Sequence, residues 1–291
     1  MSTNGPSATT PTFVLGAGAQ KAGTTWLYRY LKKSAEFRVG YRKEYHVFDT
    51  VDLASERWTR DRNLSLAEEA LTSLRHGGPA DAAVLHRMSM VADPAYYYDY
   101  FAGLLHGRGR GHVTADVTPA YALLPVKRFA EMRREFADRG ISTVAVFLMR
   151  DPVDRIWSQI RMQRRRSGEV LEGTDEEFLV RTHMEHRYSS RSHYHLTIDA
   201  LDTAFGEATH YEFYERLFSE EAVSALCSSV GIAMHPPEYD VRRNEAPAEV
   251  GLSEAAVREV AGHLTEVYQR VARRFPEVDL PALWPSARYV L

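Results

Sequence analysis

Residues 12–26, TFVLGAGAQKAGTTW, run an apolar stretch directly into a glycine-rich turn, a lysine and two threonines. An apolar run of this kind reads as a buried first strand, and the Thr pair as the opening of a helix. Strand, turn and helix in that order form a phosphate cradle. Backbone N–H groups and the helix N-terminus meet an anion, and Lys21 adds a full positive charge. The spacing excludes the two commonest loops of this type. GxxxxGKS/T places its lysine directly after a glycine, whereas Lys21 precedes Gly23 by two positions. GxGxxG begins well with Gly16 and Gly18 but meets Lys21 where its third glycine belongs. On the loop alone, a tight strand-to-helix turn with a solvated lysine and a core Trp26 remains open.

The chain has 291 residues, 44% of them hydrophobic, which is ample for one large core. A net charge of −3 argues against a general nucleic-acid binder. The single cysteine, Cys227, has no internal disulfide partner and lies on the apolar side of a helix-like stretch, so it reads as a core thiol. Residues 1–11 are polar, lack the basic start and apolar stretch of a signal peptide, and read as a disordered tail. No apolar run reaches the ~18 residues of a membrane span. These features predict a soluble, cytoplasmic protein with no stable membrane insertion, built as a single domain over 12–291.

Strands and helices alternate, which predicts an α/β fold with a central parallel sheet. The clearest strands are 12–17, 112–115, 143–149 and 209–214, the third almost wholly apolar as a central strand should be. Helices are expected over 24–34, from Pro125 to a stop at Gly140, from Pro152 or Val153, and over 253–275 up to Pro276. Residues 50–110 and 161–198 are weakly patterned and read as insertions that carry acceptor chemistry.

Arg150 stands at the end of the third strand, where a parallel sheet presents its ligand edge, and a guanidinium there can grip a phosphate with paired hydrogen bonds. In the helix that follows, Val153, Ile156, Trp157 and Ile160 form the core stripe, and Ser158 turns away from it. A third segment, RKEYHVFD over 42–49, carries Glu44, His46 and Asp49. A hydroxyl is a poor nucleophile until a nearby base takes its proton, and an extended segment projects Glu44 and His46 to one face.

Together these segments resemble the sulfotransferases that use 3′-phosphoadenosine 5′-phosphosulfate, in particular bacterial relatives of the heparan-type carbohydrate O-sulfotransferases. KAGTTW (21–26) resembles their 5′-phosphosulfate loop, RDPVDRIWS (150–158) their 3′-phosphate segment, and KEYHVFD (43–49) their KExHxFD stretch. The resemblance spans about Phe13 to Trp284 and implies a P-loop NTPase-like three-layer sandwich. It implies that Lys21, Ala22, Gly23, Thr24, Thr25 and Trp26 hold the donor's 5′ side, with Lys21 on the leaving oxygen and Trp26 against the adenine. Arg150 and Ser158 then hold the 3′-phosphate. Glu44 is the implied general base with His46 and Asp49 beside it; His46 stays open as the base, since small-molecule sulfotransferases use a histidine.

DVTPAY (116–121) resembles the family's E-K-S/T-P-x-Y stretch, which implies that Thr118 and Tyr121 help line an acceptor groove. Val117 departs from that pattern, standing where it has a lysine, which weakens the case for an anionic polysaccharide and removes a cation from the site. Residues 192–205 resemble the next helix of the family, and Arg243 with Asn244 reads first as a loop ion pair and second as a contact to the donor's phosphate. The basic run 161–166 reads as a solvated helix face, Tyr96–Tyr100 as packing residues, and His183 with His186 as non-ligands, so no metal is expected.

The expected activity is sulfonyl transfer to a hydroxyl, or to an amine, of a small-molecule, lipid-headgroup or glycan acceptor. Two alternatives stay open: a P-loop kinase using ATP on a small metabolite, and a non-catalytic module that binds an adenine nucleotide. The lysine spacing and the missing Thr directly after Lys21 argue against the first. The intact Lys21, Glu44 and His46 argue against the second.

Overall fold

Four parallel strands form the centre of the computed structural model, which describes residues 10–109, 111–167, 173–237 and 251–291. They are β1 (Thr12–Gly18), β2 (Val113–Asp116), β3 (Ser142–Met149) and β4 (Thr209–Phe213), in the spatial order β2-β1-β3-β4. Each lies within about one residue of its sequence expectation. β1, flanked on both sides, is buried along its whole length, which is why it reads as an unbroken apolar run rather than an alternating one. Thr12 pairs with Val113 on one side and Ser142 on the other. The β1–β3 register shifts between Gly16 and Gly18, where the chain leaves the sheet.

Between β1 and β2 come α1 (Thr24–Lys33), α2 (Phe48–Asp52), α3 (Arg57–Arg75), α4 (Ala82–Ala92) and α5 (Pro94–His106). α6 (Val126–Asp138) joins β2 to β3, entered through Pro125 and ending before Gly140, whose φ is 70°. α7 (Pro152–Ser167), α8 (Asp175–Thr182), α9 (His186–Ser189) and α10 (Tyr194–Phe205) join β3 to β4. After β4 follow α11 (Glu220–Val230), α12 (Glu254–His263), α13 (Thr265–Arg274) and α14 (Leu280–Leu283).

The period-two alternation of β4 sorts helices onto the two faces of the sheet. Tyr211 and Phe213 pack on Phe275, just beyond α13, at 5.4 and 5.5 Å between ring centroids. His210, one residue before Tyr211, turns the other way and meets Ser229 of α11 at 3.0 Å. α1 lies beside α11, with the Tyr30 hydroxyl 3.3 Å from Cys227. Cys227 is a buried thiol, as expected. Phe13 of β1 stacks on Phe136 of α6 at 4.1 Å and meets Phe101 of α5 edge-on at 4.8 Å.

Three expectations change. The single helix over 253–275 is two helices, α12 and α13, divided at Leu264, where Thr265 bonds the Gly262 carbonyl at 2.8 Å. The 50–110 stretch is largely helical. Its pattern is weak because α3 and α4 share a small core of Ala67, Ala70 and Val84, and most of α3 faces water, while Met90 of α4 joins the main core. Of the tyrosines at 96–100, Tyr97 and Tyr98 are core residues, but Tyr96 is 38% exposed. Residues 1–9 of the expected tail, residues 168–172 of the second insertion and the pair Arg243 and Asn244 lie outside the described residues. Among the described residues, no helix is long and apolar enough to cross a membrane.

Candidate functional site

The loop after β1 docks on the neighbouring strand: the Ala19 N–H donates to the Leu148 carbonyl at 2.7 Å. It then turns through two left-handed residues, Lys21 (φ 71°) and Gly23 (φ 94°). A Cβ on Gly23 would stand 2.7 Å from a Leu217 methyl, so the turn needs glycine for both conformation and space. Gly23 caps α1 without a side chain of its own, and among the described residues no side chain bonds the N–H groups of its first turn, which carries no acid. The N–H groups and dipole are thus left for an anion from outside. Ala22 and Thr24 are buried, and Thr25 is half-buried. Trp26 stacks on Tyr30 at 5.2 Å and meets Phe218 edge-on.

Arg150 comes to this loop from β3. Its Nη1 donates to the Lys21 carbonyl at 3.4 Å, its guanidinium lies 4.9 Å over the Tyr214 ring, and Asp154 is 3.8 Å away. The backbone around it is fixed. The Tyr194 hydroxyl donates to the Arg150 carbonyl (2.9 Å), and the Asp151 N–H donates to Glu215 (3.0 Å), which also accepts from the Trp284 indole (3.0 Å). Asp151 is buried and accepts from the Val153 and Ser286 N–H groups.

Ser158 is half-buried on α7, four residues from both Asp154 and Met162. Lys21 Nζ lies 3.7 Å from the Met162 sulfur. Residues four apart share a helix face. With Asp154 beside Arg150 and Met162 beside Lys21, Ser158 therefore lies on the face turned to the loop. Arg161 in the basic run stacks over Trp157 at 5.7 Å, and Arg164 pairs with Asp175.

The 43–49 segment gathers its acids around an imidazole. His46 Nδ1 lies 2.7 Å from Asp49, and Nε2 lies 3.2 Å from Glu44. Lys43 Nζ donates to the other Glu44 oxygen at 2.6 Å and to the Thr24 hydroxyl at 3.4 Å. Burial alone raises the Glu44 carboxyl, but the His46 and Lys43 contacts outweigh it and hold it at about 2. Burial lowers His46, and the two carboxylates overcome it, pushing the ring up to about 9. Among the described residues, Lys21 and His46 are the non-glycine residues with positive φ. Both lie in this site, as expected where a fold spends backbone strain on function.

The segment is held from beneath. The Val117 N–H donates to the Lys43 carbonyl (2.9 Å), the Tyr45 N–H to the Thr118 hydroxyl (3.0 Å), and the Val47 N–H to the Tyr121 hydroxyl (3.2 Å). Thr118 and Tyr121 are wholly buried and Thr118 also donates to Asp116 at 2.5 Å. Neither side chain opens to solvent; both support the segment from beneath. Asp116 is also buried, and that burial, opposed by its hydroxyl donors, lifts its carboxyl to about 6. A further chain, Arg87 to Asn63 (2.7 Å), Asn63 to Thr50 (3.0 Å) and Thr50 to the His46 carbonyl (2.6 Å), ties α3 and α4 to the same residues.

Two residues of the site escaped the sequence argument. Tyr214 follows β4 and is found by the strand-end rule already applied to Arg150. Lys43 adjoins Glu44, and strict alternation sends their side chains apart; the long lysine stem folds back and meets it.

No family model matches the sequence, and no curated protein matches it. Solved structures do resemble it. Sulfotransferase domains from the curacin biosynthetic pathway (16% identity, 84% of this chain and 81% of that one) and from a Synechococcus olefin synthase (12%, 87% and 93%) each align with a TM-score of 0.43. A sulfotransferase from Alicyclobacillus acidocaldarius aligns over 95% of this chain and 99% of its own, at 18% identity and a TM-score of 0.58. The chain therefore has the α/β architecture of that sulfotransferase: a parallel sheet with helices around it.

Proposed function

We propose that this chain is a sulfotransferase that moves a sulfonyl group from 3′-phosphoadenosine 5′-phosphosulfate to an acceptor hydroxyl, or to an amine. The observation that carries the reading is the approach of Arg150 to the carbonyl of Lys21, 3.4 Å away. Two cationic grips from different strands then face one space, suited to a nucleotide with phosphate at both ends of its sugar. The residues fit that donor: the uncapped N-terminus of α1, Lys21 and Thr25 meet the 5′ side, and Arg150 with Ser158 meets the 3′-phosphate.

In the reaction, the sulfur–oxygen bond to the donor phosphate breaks while one to the acceptor oxygen forms in line. Lys21 stabilises negative charge gathering on the leaving phosphate. Glu44 takes the acceptor's proton, and His46, clamped by Asp49, orients the carboxylate. Positioning and charge stabilisation supply most of the acceleration, as in phosphoryl transfer. Small-molecule and glycan hydroxyls both suit this chemistry.

The test is transfer from isotopically labelled donor to a panel of hydroxyl and amine acceptors, read by mass spectrometry. Lys21→Ala and Glu44→Ala are each expected to lower turnover by about 10²–10⁴-fold with an unchanged circular-dichroism spectrum. Wild-type turnover in Glu44→Ala would remove Glu44 as the base, and turnover with ATP alone would replace the donor.

A further inference from the structure

We propose that Lys43 is a charge switch: its ammonium restrains the Glu44 carboxylate until a donor's sulfonyl group arrives beside Thr24, then passes to the sulfonyl oxygens and frees Glu44 to take the acceptor's proton. This rests on the sulfotransfer reading above and adds to it a residue and an order of events.

Lys43 links the two halves of the site directly. Its Nζ touches Glu44 at 2.6 Å and the Thr24 hydroxyl at 3.4 Å, and Thr24 opens α1 at the mouth of the anion loop. Its stem is anchored, because the Lys43 carbonyl accepts from the Val117 N–H at 2.9 Å. The side chain is 18% exposed, so the ammonium is neither sealed in nor free in solvent. From a fixed backbone, four methylenes let the ammonium exchange one oxygen neighbour for another. Val117, whose N–H holds the Lys43 carbonyl, is apolar and wholly buried and brings no charge to this side of the loop, whereas Lys43 does.

The charge count gives the switch its purpose. In the free protein, Glu44 carries two cationic neighbours, Lys43 on one oxygen and His46 on the other. A carboxylate so held is a weak base, and the pair must loosen before it can accept a proton. An incoming sulfonyl group offers the ammonium three oxygens on the donor side. When Lys43 moves, one cation leaves the base and joins the group being transferred, where charge redistributes as the bond breaks. The step balances: the sulfur–oxygen bond to phosphate breaks, one to the acceptor oxygen forms, the acceptor's proton goes to Glu44, and Lys43 keeps its three protons. The donor therefore activates the base, and productive acceptor binding follows donor binding.

The experiment needs no acceptor. The Glu44 carboxyl is followed by carbon NMR in protein labelled at glutamate, its signal assigned by comparison with Glu44→Gln, while pH is lowered. In free protein it is expected to titrate far below the usual carboxylate range, at about 2. Saturation with 3′-phosphoadenosine 5′-phosphosulfate is expected to raise that midpoint by about one pH unit or more, whereas 3′-phosphoadenosine 5′-phosphate, which lacks the sulfonyl group, leaves it low. Lys43→Met raises it without any ligand, and Lys43→Arg restores the low value. Both nucleotides bound with no change in the Glu44 midpoint overturns the switch and leaves the donor assignment standing. A midpoint in Lys43→Met equal to wild type overturns it as well. Failure of either nucleotide to bind removes the donor assignment first, and the switch falls with it.

Discussion

His46 holds its backbone at φ 54° and gives both ring nitrogens to carboxylates. Its proton is therefore bound more tightly in the folded chain than in the unfolded one: about 9 against 6.5. A raised value of this kind adds stability that is complete below pH 6.5 and is lost as pH rises through about 9. Urea unfolding of wild type and His46→Asn across that window is expected to show a gap of about 2–3 kcal/mol at low pH that closes on the alkaline side. A gap independent of pH would mean that His46 packs rather than pairs. At this scale the sequence was partly readable. Period-two spacing put Glu44 and His46 on one face, and Asp49 came beside them only through the KExHxFD resemblance, whereas the contact of Lys43 with Glu44 depends on a side-chain bend that no periodicity encodes. The burial of Thr118 and Tyr121 was hidden for a related reason: a hydroxyl gives no sign of which side of a chain segment it supports.

At the level of elements, the strand–loop–helix unit is the most constrained piece. Gly16 lies at the end of β1 against the stretch that carries Val117. A Cβ there would stand 2.7 Å from a Val117 methyl and 2.9 Å from its Cα. Because one of those neighbours is backbone, Gly16→Ala forces the Val117 stretch to move. An overpacking cost of about 1–3 kcal/mol is expected. The movement also displaces Lys43 through the bond from the Val117 N–H, so transfer should fall together with stability. Adding Val117→Ala removes the methyl clash but not the Cα clash, so recovery in urea unfolding should be partial; full recovery would show that the backbone contact is harmless. The strands were legible to within a residue because burial on both faces leaves an apolar signature. The break at Leu264 was not, since the apolar stripe of Val257, Val260, Ala261, Leu264, Tyr268 and Val271 continues across it without a gap in spacing.

On the scale of the whole molecule, the site depends on contacts between residues far apart in the chain. Arg150 meets Lys21, Lys43 meets Thr24, and the backbone beside Arg150 is fixed by Glu215, which is itself held by Trp284 near the C-terminus. Strand order decides which of these distant residues become neighbours, and only the parallel arrangement, not the order β2-β1-β3-β4, was readable from alternation. The central claim is that this arrangement grips both phosphates of an adenosine bisphosphate. The most direct measurement is calorimetric affinity for 3′-phosphoadenosine 5′-phosphate against adenosine 5′-phosphate, in wild type and in Arg150→Ala. Wild type is expected to prefer the bisphosphate by about 10–100-fold, the worth of charge-assisted hydrogen bonds to one phosphate, and Arg150→Ala to lose most of that preference. Equal affinity for the two nucleotides in wild type, or a preference that survives the loss of Arg150, would contradict the account.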